Sequence, residues 1–274
     1  MSTTTQEIDQ KSLAEFKEAQ KKGWAHFAPL AMVTTVTAAH LVKFARVKSG
    51  QRVLDVGCGT GVVAITAARL GAKATGLDLT PELLEQAREN SSIAGLPVDW
   101  HEGDAEELPF EDASFDQVLS QFGHIFAPRP DVAVAEMLRV LKPGGTLAFS
   151  TWPPELMVGS TFAMVGKYLP PPPPGVSPPH LWGDPNVIRE RLGSVVKGLT
   201  FDRARMLVPA LSVQHYRNHL EQTAGPVIKL VANLSAKDPA KLAAFRKEYE
   251  ALASVYLEDN VIHQDYLMTR AEKV

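Results

Sequence analysis

The sequence predicts an α/β fold, in which a seven-stranded, mostly parallel sheet is covered by helices on both faces and flanked by helical lid segments. Two observations carry this prediction. Between residues 51 and 150, short β-branched runs alternate with helical stretches, as in parallel strands that are joined by helices. A glycine-rich run, DVGCGTG at 55–61, lies directly between the first strand and the first of those helices.

The composition excludes several classes of protein. The chain has 274 residues and 45% of them are apolar, which suffices for a substantial core. Its net charge of -3 gives no general attraction to nucleic acid or to an anionic membrane, so we expect a small-molecule partner. The single cysteine cannot form an internal disulfide, and no group of Cys and His has the spacing of metal ligands, so no metal is expected.

The termini and the changes in pattern suggest how the chain is organised. Residues 1–20 alternate polar and charged side chains, unlike a signal peptide, and we expect no run that approaches the length of a membrane span, hence a cytoplasmic protein. We divide the chain into an N-terminal helical lid (1–50), a cofactor-binding core (51–150), and a lid insertion with the C-terminal completion of the same domain (151–274).

Seven strands are expected from their β-branched and apolar runs. They span residues 52–56, 73–78, 98–101, 115–120, 146–150, 201–208 and 261–269. A helix over 62–71 is apolar nearly all round, as expected of a helix packed deep against the sheet. Thr80 and Pro81 are predicted as the cap and the first residue of the next helix. A later helix is predicted to end at the KPGG run 142–145. Its apolar face carries Val134, Met137, Leu138 and Leu141.

The flanking segments carry weaker signals. Residues 24–47 are apolar and are predicted to be helical, over the mouth of the sheet. The unbroken proline run 170–174 favours a stiff, extended spacer or lid edge. Asp238 and Pro239 are expected to begin a helix whose apolar stripe packs in the core. That stripe consists of Leu242, Phe245, Tyr249, Leu252 and Tyr256.

The glycine-rich run has the composition of a loop that approaches a ligand. Glycines turn the backbone tightly without a Cβ clash, and the following helix start offers unpaired amides to an anionic group such as the carboxylate of an amino acid. Asp55, at the strand end, can hold an ammonium group. A nicotinamide-dinucleotide fingerprint needs glycine at the position of Val62, so an adenosyl amino acid is favoured. A purely structural strand-to-helix turn stays the alternative.

Two more carboxylates follow the next two strands. Asp78 ends the second strand, where a carboxylate can accept both hydroxyls of a ribose. Asp104 follows the third strand and suits the amino group of an adenine. Each of them alone could be a capping or a solvated residue. Their order along the chain supports the interpretation as ligand contacts.

Over residues 53–150 the chain resembles the class I S-adenosylmethionine-dependent methyltransferases, in particular the methyltransferase-11-like branch with quinone-biosynthesis and other small-molecule enzymes. The resemblance rests on DVGCGTG (55–61), GLDLT (76–80), GDAEELPF (103–110), FDQVLSQFG (115–123) and MLRVLKPGGTL (137–147). It implies a Rossmann-like sheet with an antiparallel last strand, and S-adenosylmethionine as the cofactor. The implied cofactor-binding residues are Asp55, Gly57, Cys58, Gly59, Thr60, Gly61, Asp78, Leu79, Gly103, Asp104, Ala105 and Gln121.

The implied reaction needs chiefly in-line alignment of acceptor, methyl group and sulfur, and the exclusion of water. His124 is the predicted base if the acceptor must lose a proton, because it follows the fourth strand at the edge where such sheets bind ligands. A histidine with a packing role is the equal alternative. The acceptor is expected to be apolar over much of its surface. The predicted pocket wall consists of Trp24, His26, Trp152, His180 and Trp182, although aromatic residues there can also be ordinary core.

Three other functions stay open at this point. A non-catalytic or regulatory S-adenosylmethionine-binding protein would keep the same glycines and carboxylates, but the long lid segments argue against it. A nicotinamide-dependent oxidoreductase is opposed by Val62. Methylation of nucleic acid or protein is disfavoured, because the sequence has no stripe of basic residues. Enzymes of that kind that methylate amino groups often carry a D/N/S-P-P-Y/F tetrapeptide at the end of the fourth strand, where this chain has SQFG at 120–123.

Overall fold

The computed structural model describes residues 9–274, so residues 1–8 of the expected N-terminal lid lie outside the described residues. The strands of its sheet are β1 (Arg52–Val56), β2 (Lys73–Asp78), β3 (Val98–Glu102), β4 (Phe115–Gln121), β5 (Leu141–Thr151), β6 (Val196–Pro209), β7 (Leu257–Glu258) and β8 (Val261–Lys273). The spatial order is β3-β2-β1-β4-β5-β8-β6, and the two-residue β7 pairs with β8. The strands from β1 to β5 pair in parallel, whereas β8 is antiparallel to both β5 and β6. The mostly parallel sheet with an antiparallel last strand is confirmed.

Helices cover both faces of this sheet. They are α1 (Gln10–Trp24), α2 (Ala31–Ala45), α3 (Val62–Arg69), α4 (Pro81–Ala94), α5 (Pro130–Val140), α6 (Met157–Tyr168), α7 (Pro185–Leu192), α8 (Val213–Thr223), α9 (Gly225–Lys237) and α10 (Pro239–Ser254). Val53 packs in a core cluster with Leu41 of α2 and Val63 of α3, whereas Leu54 packs in a second cluster with Met137 of α5. Successive side chains of a strand point to opposite faces of a sheet. Val53 and Leu54 therefore show that helices pack on both faces of this sheet.

The structure corrects two local expectations in the core. Leu141 begins β5 and is not part of the preceding helix, which ends at Val140. Residues 142–145 bulge out of the ladder there, since Phe115 pairs with Leu141 and Gln117 already pairs with Thr146. Thr80 occupies the N-cap position of α4, but its side chain makes no capping bond.

The predicted helix over 24–47 is interrupted. α1 ends at Trp24, and a short 3₁₀ turn, Ala28–Leu30, precedes α2. Together this turn and α2 form the stretch Ala28–Ala45, which is long and apolar enough by length and composition to cross a membrane. The expectation that no run approaches that length is therefore wrong. Residues such as Ala38 and Leu41 in this stretch are buried against the rest of the fold, as in a core helix.

The chain after β5 returns over the carboxyl edge of the sheet. Residues 170–174 form neither helix nor strand, in agreement with an extended spacer. Helices α8, α9 and α10 pack on one another, α9 and α10 also pack on α6, and α9 contacts α1. The start of α10 is confirmed, because Asp238 Oδ1 accepts a hydrogen bond from the Lys241 N–H at 2.9 Å. The space between these helices and the sheet edge holds the site.

Candidate active site

A cavity of about 260 Å³ opens at the carboxyl edge of the sheet, where the strand order turns from β1 to β4. One half is lined by the loops that follow β1, β2 and β3. The other half is lined by side chains of α6, α8, α9, α10, β6 and β8, and α1 lies over the opening. Open α/β sheets bind their ligands at this switch point.

The glycines of the loop after β1 serve two purposes: one allows close packing of two loops, and another leaves space beside the backbone. Gly57, Gly59 and Gly61 have φ values of 65°, 54° and 86°, in the left-handed region that glycine adopts without strain. A Cβ on Gly57 would lie 2.8 Å from the Gly123 Cα, so this glycine lets two loops touch. A Cβ on Gly59 would meet no atom closer than Phe27 Cε1, at 4.0 Å. Gly59 therefore leaves room for a ligand to approach the backbone.

Asp55 is a buried carboxylate with one free oxygen. Its exposed fraction is 1%, and its Oδ2 accepts a hydrogen bond from the Ala64 N–H at 3.1 Å. Its Oδ1 has no hydrogen-bond partner among residues 9–274. Burial, together with the charge of Asp78, raises the pKa of Asp55 to about 8. An ammonium group would satisfy the free oxygen and favour its ionised form.

Asp78 connects the glycine loop to the start of α4. Its Oδ2 accepts a hydrogen bond from the Gly59 N–H at 2.8 Å, and its Oδ1 accepts one from the Thr80 N–H at 2.9 Å. Burial raises the pKa of Asp78, while these two N–H groups act in the opposite direction. Each carboxylate oxygen keeps a further lone pair that can accept a ribose hydroxyl.

Asp104 is paired with a lysine that the sequence did not single out. Its Oδ1 accepts a hydrogen bond from the Glu106 N–H at 2.8 Å, and its Oδ2 lies 2.5 Å from Lys17 Nζ. Lys17 belongs to α1 and lines the cavity together with Gly103, Asp104 and Ala105. Nothing in the pattern of α1 distinguishes this lysine from its neighbours, so only the folded chain identifies it.

The predicted cofactor residues line the cavity with one exception. Gly61 does not line it, because it lies at the N-cap of α3 under the Trp100 ring, where a Cβ would be 2.4 Å from Trp100 Cη2. Gly61 thus has a packing role. Cys58 and Leu79 do line the cavity, and burial raises the pKa of the Cys58 thiol well above its ordinary value, so it stays protonated.

Two more unpaired oxygens border the same part of the cavity. Thr60 Oγ1 and the Gln121 Oε1 are buried and have no partner among the described residues. Gln121 is held in place, because its Nε2 donates a hydrogen bond to the Thr34 carbonyl at 3.0 Å. With Asp55 Oδ1, these oxygens and the open backbone at Gly59 fit the polar groups of an adenosyl amino acid. Among residues 9–274, no group of three or more His, Cys, Asp or Glu side chains could hold a metal ion.

The other half of the cavity is aromatic and aliphatic. Phe122 has a φ of 61°, which is unusual for a residue with a side chain, and its ring stacks on Trp152 with centroids 4.0 Å apart. Trp24 also lines the cavity, and its ring centroid lies 4.4 Å from that of Phe126. Two of the predicted wall residues, Trp24 and Trp152, therefore line the cavity. Sequence reasoning missed most of this wall. Its further members include Phe27, Phe126, Met157, Phe162, Val165, Met206, Tyr216, Tyr249 and Gln264.

His124 does not line the cavity, which corrects its assignment as a base. Its imidazole is buried between the rings of Phe149 and Trp182, at centroid distances of 4.7 and 4.6 Å. Its Nδ1 lies 2.9 Å from Ser120 Oγ. The Ser120 hydroxyl itself donates to the Val56 carbonyl, so the proton between them belongs to Nδ1. Burial lowers the pKa of His124 to about 3, so the ring is neutral.

Three of the predicted wall residues also lie elsewhere. His26 is exposed in the turn after α1. His180 and Trp182 belong to the 3₁₀ segment Pro179–Gly183, outside the cavity lining. Trp182 is core, because it packs on His124 and lies under the Arg191 guanidinium, at 4.4 Å.

Known proteins share both the sequence and the fold of this chain. A family model described as a methyltransferase domain matches residues 54–149. The chain is 36% identical over 235 residues to an uncharacterised protein of Mycobacterium tuberculosis, with 85% of each chain covered. It is also 37% identical over 158 residues to the ubiquinone biosynthesis O-methyltransferase of Paracidovorax citrulli. That match covers 55% of this chain and 65% of the relative.

The fold has a solved counterpart in a proposed methyltransferase of Bacillus halodurans C-125. That structure has a TM-score of 0.59 and 23% sequence identity, and the match covers 86% of this chain and 98% of that one. The likeness concerns the fold, while the family match covers the glycine loop and the carboxylates that border the cavity. The chain therefore belongs to the class I S-adenosylmethionine-dependent methyltransferases, and S-adenosylmethionine is its cofactor.

Proposed function

We propose that this methyltransferase transfers the methyl group to a small, uncharged and largely apolar acceptor. The composition of the cavity carries the proposal, since the half away from the glycine loop is walled by aromatic and aliphatic side chains. Among the described lining residues, Lys17 is the one basic side chain, and it is bonded to Asp104 and Glu106. An anionic acceptor would lose its hydration here without gaining a counter-charge.

The residues of the chain bind, orient and enclose rather than activate. In this proposal Asp55 accepts the ammonium group of the cofactor through its unpaired Oδ1, and Asp78 accepts the ribose hydroxyls. S-adenosylmethionine, when bound, supplies a methyl group on an electrophilic sulfonium. Gln20 of α1 donates a hydrogen bond to the Phe126 carbonyl at 3.0 Å, which holds the lid over the cavity and excludes water.

The absence of a histidine from the described lining bears on the acceptor's chemistry. Tyr216 and Tyr249 do line the cavity, but burial raises the pKa of Tyr216 to about 12, and it raises that of Tyr249 also. Neither phenol is therefore suited to take a proton near neutral pH. The site suits an acceptor that is nucleophilic as it arrives, or that ionises readily.

The test is transfer of a radiolabelled methyl group from S-adenosylmethionine to a panel of phenols, thiols, aromatic amines and enolisable ketones. Each compound is offered in an uncharged and in a sulfonated form. We expect the uncharged forms to have a kcat/KM at least about tenfold higher, because the sulfonate stays unpaired in the apolar wall. Preference for sulfonated acceptors, or cofactor binding without transfer to any compound, would contradict the proposal.

A pair of lysine variants sharpens this test. Phe162 lines the cavity from α6, and Ala163 is the exposed next residue on the same helix. Phe162→Lys should move the preference toward sulfonated acceptors and leave cofactor affinity unchanged, since it adds a cation to the acceptor wall alone. Ala163→Lys adds the same charge outside the cavity and should leave the preference as it is.

A further inference from the structure

A cluster of three long polar side chains lies in the apolar wall, in the half of the cavity away from the glycine loop. They are Tyr216 of α8, Tyr249 of α10 and Gln264 of β8. All three are at least nine-tenths buried and all three line the cavity. Buried polar groups in an otherwise apolar wall are costly unless they are paired, so their arrangement is informative.

The Tyr216 hydroxyl oxygen is the hydrogen-bond acceptor in this cluster. Gln264 Nε2 donates a hydrogen bond to the Tyr216 hydroxyl oxygen. Among the described residues the Tyr216 hydroxyl donates no hydrogen bond to a side chain or a carbonyl group, and the Tyr249 ring lies beside it. A phenol hydroxyl can accept a hydrogen bond and still donate its own hydrogen. The hydrogen of the Tyr216 hydroxyl is then left for an acceptor outside the cluster.

The cluster is held by its neighbours along the chain. Arg217, next to Tyr216, has its Nε 2.7 Å from Glu250 Oε1, next to Tyr249. This ion pair joins α8 to α10 and keeps the two rings together, with centroids 6.2 Å apart and planes inclined at 26°. Tyr216 is thus a pre-positioned donor rather than a side chain that must be ordered when a ligand binds.

We infer that Tyr216 is a specificity-determining residue, whose hydroxyl donates a hydrogen bond to a carbonyl or ether oxygen at the end of the acceptor farthest from the methyl group. This inference rests on the proposed function and adds a polar end to the apolar acceptor. The oxygen is uncharged, because no cationic side chain lines this half of the cavity among the described residues. A ligand without that oxygen leaves the buried hydroxyl unpaired and binds more weakly.

The probes are 2-acetylnaphthalene and 2-ethylnaphthalene, which differ in one carbonyl group. Binding is measured calorimetrically with the full chain saturated with S-adenosylhomocysteine. We expect the ketone to bind about tenfold more tightly than the hydrocarbon to the natural protein, and within about twofold of it to Tyr216→Phe. Tyr168→Phe is the matched control, because its hydroxyl bonds to Glu248 outside the cavity, and it should keep the full preference.

The infrared carbonyl stretch of the bound ketone gives a second measurement that a purely structural role would not change. It should lie at lower frequency in the natural protein than in Tyr216→Phe. An unchanged preference in Tyr216→Phe, an unshifted stretch in the natural protein, or binding of neither naphthalene would overturn the inference. Because neither step uses methyl transfer, a failed acceptor screen with an intact ketone preference would count against the proposed function alone.

Discussion

The Lys17 ammonium group lies 2.5 Å from Asp104 Oδ2 and joins the N-terminal lid to the cofactor half of the cavity. The same ammonium group lies 2.6 Å from Glu106 Oε2, whose side chain is 1% exposed. The side chain of Lys17 is only 16% exposed, so these contacts are partly protected from solvent. Entry of the cofactor beside Asp104 therefore requires α1 to move or to give up this contact.

Lys17→Met should weaken cofactor binding by about tenfold, with most of the change in the dissociation rate, because the lid loses a partly buried charged contact. Stopped-flow displacement of S-adenosylhomocysteine measures that rate. Lys11→Met is the matched control, since the Lys11 side chain is 84% exposed and its pairing with Glu15 is at 4.0 Å. Equal dissociation rates for Lys17→Met and the natural protein would show that the contact does not hold the lid.

Asp55 should make cofactor affinity depend on pH. Its pKa is raised to about 8 in the folded chain, and the ammonium group binds its ionised form. Affinity should therefore rise by up to about tenfold per pH unit between about pH 6 and about pH 8, and then level off. Asp55→Asn should remove this dependence in calorimetric titrations. Asp99→Asn, at an exposed position, should retain it; an affinity that is flat below pH 8 in the natural protein would refute the assignment.

The same carboxyl affects the stability of the cofactor-free protein. In the folded state the Asp55 carboxyl has a pKa of about 8 and stays protonated below it, whereas in the unfolded state its pKa is about 4. The free energy of unfolding should therefore fall as pH rises through this window, and Asp55→Asn should flatten that fall. Urea unfolding at several pH values measures it. A slope that is unchanged in the variant would mean that Asp55 is already ionised in the folded chain.

Two glycines of the loop should respond differently to alanine. Gly57→Ala should lower the free energy of unfolding by about 2 kcal/mol or more, because its Cβ would press on Gly123 at a positive φ. Gly59→Ala should cost less stability and instead reduce cofactor affinity more than about tenfold, since its Cβ enters the open cavity. Gly166→Ala, where a Cβ meets nothing within 4 Å, is the control for both. Cofactor binding of Gly59→Ala at full affinity would show that the loop is not approached there.

His124 should affect acid stability and not the pH dependence of turnover. Its pKa is lowered from about 6.5 to about 3, so the unfolded state takes up a proton that the folded state does not. Stability from this group is complete above about pH 6.5 and is lost as pH falls, by about 2 kcal/mol at about pH 5. His124→Gln should reduce this acid-dependent loss. A turnover profile that loses its acidic limb in His124→Gln would restore the histidine as a base.

The cofactor half of the site could be predicted because it is local in the sequence. The strands, the glycine loop and the carboxylates all fall within residues 51–150, and the carboxyl ends of parallel strands meet at one edge whatever the flanking segments do. Asp55, Asp78 and Asp104, predicted to contact the cofactor, all line one cavity. Gly61 was predicted to bind the cofactor, but it lies under the Trp100 ring. The position of this glycine in the motif does not reveal that packing.

The acceptor half was decided by tertiary structure. Its wall is assembled from α1, α6, α8, α9, α10, β6 and β8, whose apolar patterns are those of ordinary core elements. Tyr249 belongs to the predicted core stripe of α10, and nothing in that stripe shows that Gln264 and Tyr216 lie beside it. Such contacts join residues that are far apart in the chain, so they cannot be inferred from a single sequence.

The clearest case is the end of β4, where the sequence placed a histidine at the binding edge. The backbone turns at Phe122 with a φ of 61°, so the Phe122 ring faces the cavity and stacks on Trp152. Two residues later the His124 ring points into the core, against Phe149. The sequence by itself determined the sheet, the cofactor loop and the edge at which ligands bind. The backbone turn and the packing around it decided which side chains reach the ligand, because side-chain direction depends on a dihedral angle that residue type alone does not specify.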